Sequence, residues 1–228
     1  PCAARAPTPF RCHETRCGPG AAGEDVWAGF RDPRAAVLFV GLVRRACGDP
    51  VRPPSGPPRA SLLLRDPPGQ CGLKRRARCL EDESRMRRFL RAALPGFAVD
   101  VAVTPGPTTP LCAQQRLFSG PTALVTPHGA HLTNALFARP SAAIVEVVPW
   151  SLPEWGAYTN LTKDIVPGHG RAHSLRPPPE SLGRWASLSR AECAAHSLCK
   201  AAVRDGAPLR PIYREVHALL QGVLGGRV

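Results

Sequence analysis

The chain has 228 residues, enough for one large domain or two small ones, with 30 Lys and Arg against 17 Asp and Glu and a net charge of +13. Only two Tyr accompany dispersed Phe and Trp, so the basic residues are not interleaved with the aromatic platforms that stack nucleic acid, which argues against nucleic acid as the partner. The longest apolar run, Ala35–Val43, is too short to span a bilayer, and no signal peptide is visible. Any membrane anchor is therefore expected upstream of this sequence.

Residues 1–34 are rich in Pro, Gly, Arg and Cys without a period and read as loop or the remnant of a preceding domain. Ala35–Val43 reads as a core strand, and Asp49–Pro58 as a loop too dense in Pro and Gly for regular structure. Ala60–Arg65 (ASLLLR) is the next strand. Pro67-Pro68-Gly69 breaks it, and the basic patch Lys74-Arg75-Arg76-Ala77-Arg78 follows. Glu81–Leu94 is an amphipathic helix with Met86, Phe89, Leu90, Ala93 and Leu94 on its apolar face and an acidic start that suits the helix dipole. Phe97–Val103 reads as a strand and Ala113–Phe118 as a short helix.

Thr122–Thr126 and Ala142–Val148 are apolar without alternation, the pattern of parallel strands covered on both faces. Between them lie the turn Pro127-His128-Gly129, a helix over Ala130–Phe137 and the loop Arg139-Pro140-Ser141. Two strands joined by a helix make a crossover unit, and its first turn sits at the carboxyl edge of the sheet, where open α/β folds bind ligands. Beyond Pro149, Trp150, Trp155 and Tyr158 surround a short helix, and Ile165–His173 and Arg176–Pro179 read as loop. Two helices close the chain, Arg190–Ala202 with Ala191, Ala194, Ala195, Leu198 and Ala202 as its apolar stripe, and Ile212–Leu224. The alternation of strand and helix predicts an α/β fold, a Rossmann-like parallel sheet with flanking helices. Residues 1–58 are expected to be a Pro/Gly/Cys-rich linker or remnant of a preceding domain, and residues 59–228 a Rossmann-like domain with C-terminal helices.

Nine cysteines fall at irregular spacings, at 2, 12, 17, 47, 71, 79, 112, 193 and 199, with no C-x2-C pair for a metal. They fit disulfides in an oxidising compartment, with Cys193–Cys199 or pairs among Cys2, Cys12 and Cys17 as local bridges. Asn160-Leu161-Thr162 is a sequon for N-glycosylation, and with the cysteines it points to the secretory pathway.

The central turn is built for an anion. Gly129 lets a ligand approach the backbone, the helix behind it offers N–H groups and a positive dipole end, and His128, Thr133 and Asn134 add polar groups. A second reading of the same turn is an ordinary strand-to-helix junction with a satisfied imidazole. Arg65, at a strand's carboxyl end, points towards the same edge and suits bidentate pairing with a diphosphate. For Arg75, Arg76 and Arg78, a solvated basic face is the simpler reading.

The run PHGAHLTNALFARPSAAIVEVVP resembles the C-terminal motif of the glycosyltransferase 61 family, similar to plant xylosyltransferases and to O-linked and O-mannose GlcNAc transferases. His128, Gly129, Ala130, Leu132, Thr133, Asn134, Glu146 and Pro149 fall on the family pattern; His131 departs from it, where the family usually has Gly. ASLLLR with the basic segment after it, and Gln114-Gln115-Arg116-Leu117-Phe118, extend the match over about Arg59–Pro167.

The resemblance implies the C-terminal half of a GT-B glycosyltransferase, inverting and metal-independent, and no D-x-D triplet occurs in the chain. The donor it implies is a nucleotide-sugar, a UDP-linked pentose or GlcNAc, with a glycan or glycoprotein as acceptor; no separate cofactor is implied. Arg65, the Gly129 and Ala130 N–H groups and Thr133 would hold the leaving diphosphate, Glu146 the ribose, and His128 would be the catalytic base. The location implied is the lumen of the Golgi or endoplasmic reticulum. The residues before the matched block are too few and too Pro-rich for a first Rossmann domain. The sequence is therefore expected to be a fragment, or to carry a vestigial acceptor domain. A noncatalytic nucleotide-sugar or glycan-binding protein is the alternative, and a basic module for anionic polysaccharide or nucleic acid a third.

Overall fold

The computed structural model describes residues 33–48, 56–67, 70–71, 78–104, 106, 108–152, 159, 162 and 165–225. The expectations for residues 1–32, most of Asp49–Pro58, Arg75, Arg76, Trp155, Tyr158 and Asn160 lie outside them.

Five strands, β1 (Arg59–Leu64), β2 (Ala98–Val103), β3 (Ala123–Pro127), β4 (Ala143–Val148) and β5 (His169–His173), form one sheet in the order β2-β1-β3-β4-β5. Every pairing is parallel. β3 and β4 are buried along their whole length, and β1 beyond its first residue, which is why their sequences run apolar rather than alternating. β2 and β5 are the edges and carry polar side chains; Asp100 of β2 is ion-paired to Arg59 of β1.

Helices cover both faces. On one face, Met86 and Leu90 of α2 (Glu83–Ala93) and Val216, Leu220 and Leu224 of α7 (Tyr213–Leu224) pack on Leu62, Leu64, Val125, Val145 and Val147. Asp82 caps α2 by accepting from the Arg85 amide at 2.7 Å, satisfying an end that would otherwise lack a partner. α7 lies close over β5, where a Cβ on Gly170 would stand 2.4 Å from Leu219.

On the other face, Ala36, Val40 and Val43 of α1 (Pro33–Ala46), Phe118 of α3 (Leu111–Ser119) and Leu132, Leu136 and Phe137 meet Leu63, Leu124 and Ile144. A smaller cluster joins Trp150 and Leu182, from α4 (Pro179–Leu182), to Cys193 of α5 (Arg190–Ala195) and Cys199 and Val203 of α6 (Ser197–Gly206).

Four sequence expectations are corrected. The strand expected over Ala35–Val43 is α1, a helix: its buried residues recur every three to four positions, while Val37, Leu38 and Leu42 between them are exposed, so helical periodicity was present within an apolar run. The helix thus packs on the sheet rather than preceding it as linker. The helix after the central turn is a 3-10 helix over Ala130–Phe137. The loop expected over Ile165–His173 contains β5, whose polar sequence HGRAH hides an edge strand. The single helix expected over Arg190–Ala202 breaks at His196 into α5 and α6, and Leu198 of its expected stripe is exposed. The buried residues there are Cys193 and Cys199, joined as a disulfide, one of the local bridges that the spacing left open. Cys47–Cys112 and Cys71–Cys79 are also bonded. No helix among the described residues is long and apolar enough to cross a membrane.

Candidate functional site

The strand order sets the site. From β1 the sheet grows one way to β2 and the other way through β3, β4 and β5, so the direction of winding reverses between β1 and β3. Crossovers leave that point on opposite faces and open a crevice at the carboxyl ends of the two strands. β1 ends at Leu64 and leads into Arg65; β3 ends at Pro127 and leads into His128 and Gly129. The fold therefore brings Arg65 to the central turn from 64 positions away in sequence.

Contact is direct. A Cβ built on Gly129 would meet Nδ1 of His131 at 2.9 Å and a terminal nitrogen of Arg65 at 3.5 Å. Gly129 is extended, with φ at 170°, so glycine is needed here for space rather than for a left-handed backbone. The 3-10 helix begins immediately behind it, with no side chain capping its start, which turns its first amide groups and its positive dipole end to the same place.

The site is electropositive. Burial pushes the His131 imidazole down to about 3, and the charges of Arg65, His128 and Arg78 push it the same way. His131 therefore stays neutral near pH 7, its Nε2 lying 2.8 Å from Thr126 Oγ1. Arg78 pairs with Asp205 at 3.2 Å. Burial works to raise the Asp205 carboxyl, but the Arg204 hydrogen bond and the Arg204, Arg78 and Arg65 charges outweigh it and hold it below its ordinary value. Asp205 is thus an acidic counterweight to the cluster around the turn.

His128 and Glu146 meet. His128 is buried and its Nδ1 lies 2.5 Å from Glu146 Oε1. Glu146, read from the sequence as the ribose ligand, is wholly buried on β4 and faces imidazoles rather than the surface. Its other oxygen lies 3.8 Å from Nε2 of His169. His169 in turn has Nδ1 2.7 Å from Thr162 Oγ1. Burial, aided by the Arg171 charge, pushes His169 down to about 3, so it is neutral as well.

The remaining sequence candidates are placed less directly. Ala130 is exposed at the start of the 3-10 helix. Thr133 Oγ1 donates to the Ala130 carbonyl at 2.9 Å, a local bond at the surface of the turn. Asn134 is buried, and its amide donates to Gln114 Oε1 at 2.9 Å, tying the 3-10 helix to α3. Among the described residues no cluster of three or more His, Cys, Asp or Glu could hold a metal ion.

His169, Thr162 and Asp205 were not singled out from the sequence. His169 sat in an expected loop, and Thr162 was read only as the third residue of the sequon. The one local signal was a His within a polar stretch that follows Val166 and precedes Ala172.

The sequence model of the glycosyltransferase 61 family matches residues 34–145. That span begins within α1, includes Arg65 and the central turn, and ends one residue before Glu146. No curated protein matches the chain.

Proposed function

The chain belongs to the glycosyltransferase 61 family through residues 34–145, and from that premise we propose that it transfers a sugar from a nucleotide-sugar, a UDP-linked pentose or GlcNAc, to a glycan or glycoprotein acceptor. The observation that carries the reading is the convergence of Arg65, His128 and Gly129 where the strand order reverses. A diphosphate there meets a guanidinium able to pair with two of its oxygens. It also meets the start of a helix at the Gly129-Ala130 backbone. Thr133 stands at the same rim, and Asn134 braces it from beneath.

In the proposed reaction the acceptor oxygen bonds to the anomeric carbon as the bond from that carbon to the diphosphate oxygen breaks. Attack from the face opposite the leaving group inverts the configuration. The acceptor's proton passes to His128 as general base, and the charge released on the diphosphate is met by Arg65 and the turn amides. None of these roles calls for a metal ion. The domain serves as the donor-binding half of a GT-B enzyme, with the acceptor held by a second domain. Three disulfides among the described residues and the family suit a lumenal protein of the secretory pathway, and we assign it to the Golgi or endoplasmic reticulum, with Asn160 as a glycosylation site.

Calorimetry with UDP, UDP-GlcNAc and UDP-xylose tests the reading. Binding is expected for the wild-type chain and is expected to be lost in Arg65→Ala and His128→Ala. Folded wild-type protein that binds none of the three would overturn it, and the preferred sugar would name the donor.

A further inference from the structure

We propose that Glu146, His169 and Thr162 form a buried chain of hydrogen bonds behind His128, in which Glu146 fixes the His128 imidazole and His169 fixes Glu146. Glu146 and His169 are then positioning residues for transfer. What His128 does rests on the functional reading above; the chain itself does not.

The argument starts from two atoms. Glu146 Oε2 and His169 Nε2 are both buried, and neither has a hydrogen-bond partner among the described residues. They face each other at 3.8 Å. A buried carboxylate oxygen without a donor is costly, and the gap is too narrow for a bridging water. A contraction of about 1 Å brings the pair to ordinary hydrogen-bond distance, with His169 Nε2–H donating to Oε2. The far side then follows: the Thr162 hydroxyl lies 3.4 Å from the Thr159 carbonyl oxygen and 2.7 Å from Nδ1, and it donates to the nearer acceptor, Nδ1. The neutral state that burial imposes on His169 is the state this pattern needs.

At the other end, Glu146 Oε1 accepts from His128 Nδ1–H at 2.5 Å, which fixes the tautomer and leaves Nε2 as the nitrogen that takes a proton. When the acceptor hydroxyl gives its proton to Nε2, the imidazolium formed is already paired with a carboxylate, as in acid–histidine pairs on unrelated folds. β4 reads AIVEVV, so a lone Glu stands in a strand whose other positions are apolar. A buried charge of this kind is a poor source of stability compared with an apolar residue of similar volume, and orienting His128 gives it a purpose.

The test uses the full chain with 15N-labelled histidine and measures three things: the His128 tautomer, UDP affinity, and the slow hydrolysis of UDP-GlcNAc or UDP-xylose with water as acceptor. Glu146→Gln is expected to slow hydrolysis by about 10²–10⁴-fold. His169→Phe, which fills the same space without a donor, is expected to slow it by roughly tenfold or more. It should also replace the single Nδ1–H tautomer of His128 with a mixture. His169→Gln, which can donate to Oε2, is expected to restore both to within about threefold of wild type, with UDP affinity unchanged throughout.

His169→Phe keeping the wild-type tautomer and rate would overturn the proposal. So would a fall in UDP affinity matching the fall in rate, because Glu146 and His169 would then act on binding or on the fold. Should His169→Phe fail to fold, Thr162→Val applies the same test from the far end. A wild-type chain that binds no UDP and hydrolyses no donor defeats the functional reading instead, and the tautomer comparison still decides the chain.

Discussion

Mild acid should destabilise this fold through His169. Its side chain is fully buried, and burial together with the Arg171 charge pushes it down to about 3 from its ordinary 6.5. Above the ordinary value neither the folded nor the unfolded chain binds the proton, so His169 adds no pH dependence there. Below it the unfolded chain takes up a proton that the folded chain refuses, and stability falls with pH until the folded value is reached. Each pH unit in that window costs about 1.4 kcal/mol, so the loss is about 1.4 kcal/mol near pH 5.5 and about 2.7 kcal/mol near pH 4.5.

Urea unfolding followed by tryptophan fluorescence, run on wild type and on His169→Gln, isolates the residue. Other titrating groups act equally on both chains, and glutamine takes up no proton. The variant is the less stable of the two near neutrality, since its packing is imperfect. The gap should narrow by about 1.3 kcal/mol between about pH 7 and about pH 5.5. A gap constant over that range would show that His169 titrates normally in the folded chain and would refute the reasoning. His131, pushed down to about 3 by burial and by Arg65, His128 and Arg78, acts in the same direction.

Gly168→Ala should lower stability by about 1–3 kcal/mol in the same assay, because its Cβ would stand 2.4 Å from the Ala142 carbonyl oxygen and 2.9 Å from Val223. The rigid backbone contact leaves little room to yield. Gly129→Ala leaves the extended backbone unstrained but must push the His131 ring, whose Nδ1 the new Cβ would meet at 2.9 Å, and is expected to lower stability by about 1 kcal/mol. It should weaken UDP binding by roughly tenfold, or about 1.4 kcal/mol, by calorimetry. Arg65→Lys should bind UDP more weakly than wild type and more tightly than Arg65→Ala, because an ammonium keeps the charge and loses the bidentate fork. Cys47 and Cys112 are separated by 65 residues, a loop whose closure stabilises by about 4 kcal/mol. Cys47→Ser with Cys112→Ser should therefore lower the thermal midpoint by roughly 10 °C, and an unchanged midpoint would refute this.

Much of the sheet was legible because its signals are local. β1, β3 and β4 are largely apolar without alternation, and α2 and α7 carry apolar residues at helical spacing, so each could be read from its own few residues. β5 could not: HGRAH has no strand signal, and it becomes a strand because β4 offers it an open edge and α7 covers it at Gly170. α1 was misread because its apolar residues nearly encircle the helix, and only packing shows that Ala36, Val40 and Val43 are the buried ones.

The sequence by itself determined the α/β class and the family motif at the His128-Gly129 turn, and it offered Cys193–Cys199 as one possible local bridge. These depend on spacing within a few residues, which the chain carries wherever it is folded. Only the tertiary structure decided that Arg65 touches the turn, that Glu146 turns inward to His128 rather than outward, and that His169 stands behind it. Those are contacts between strands distant in sequence. They exist because the order β2-β1-β3-β4-β5 sets the carboxyl end of β1 beside that of β3, and β4 between β3 and β5.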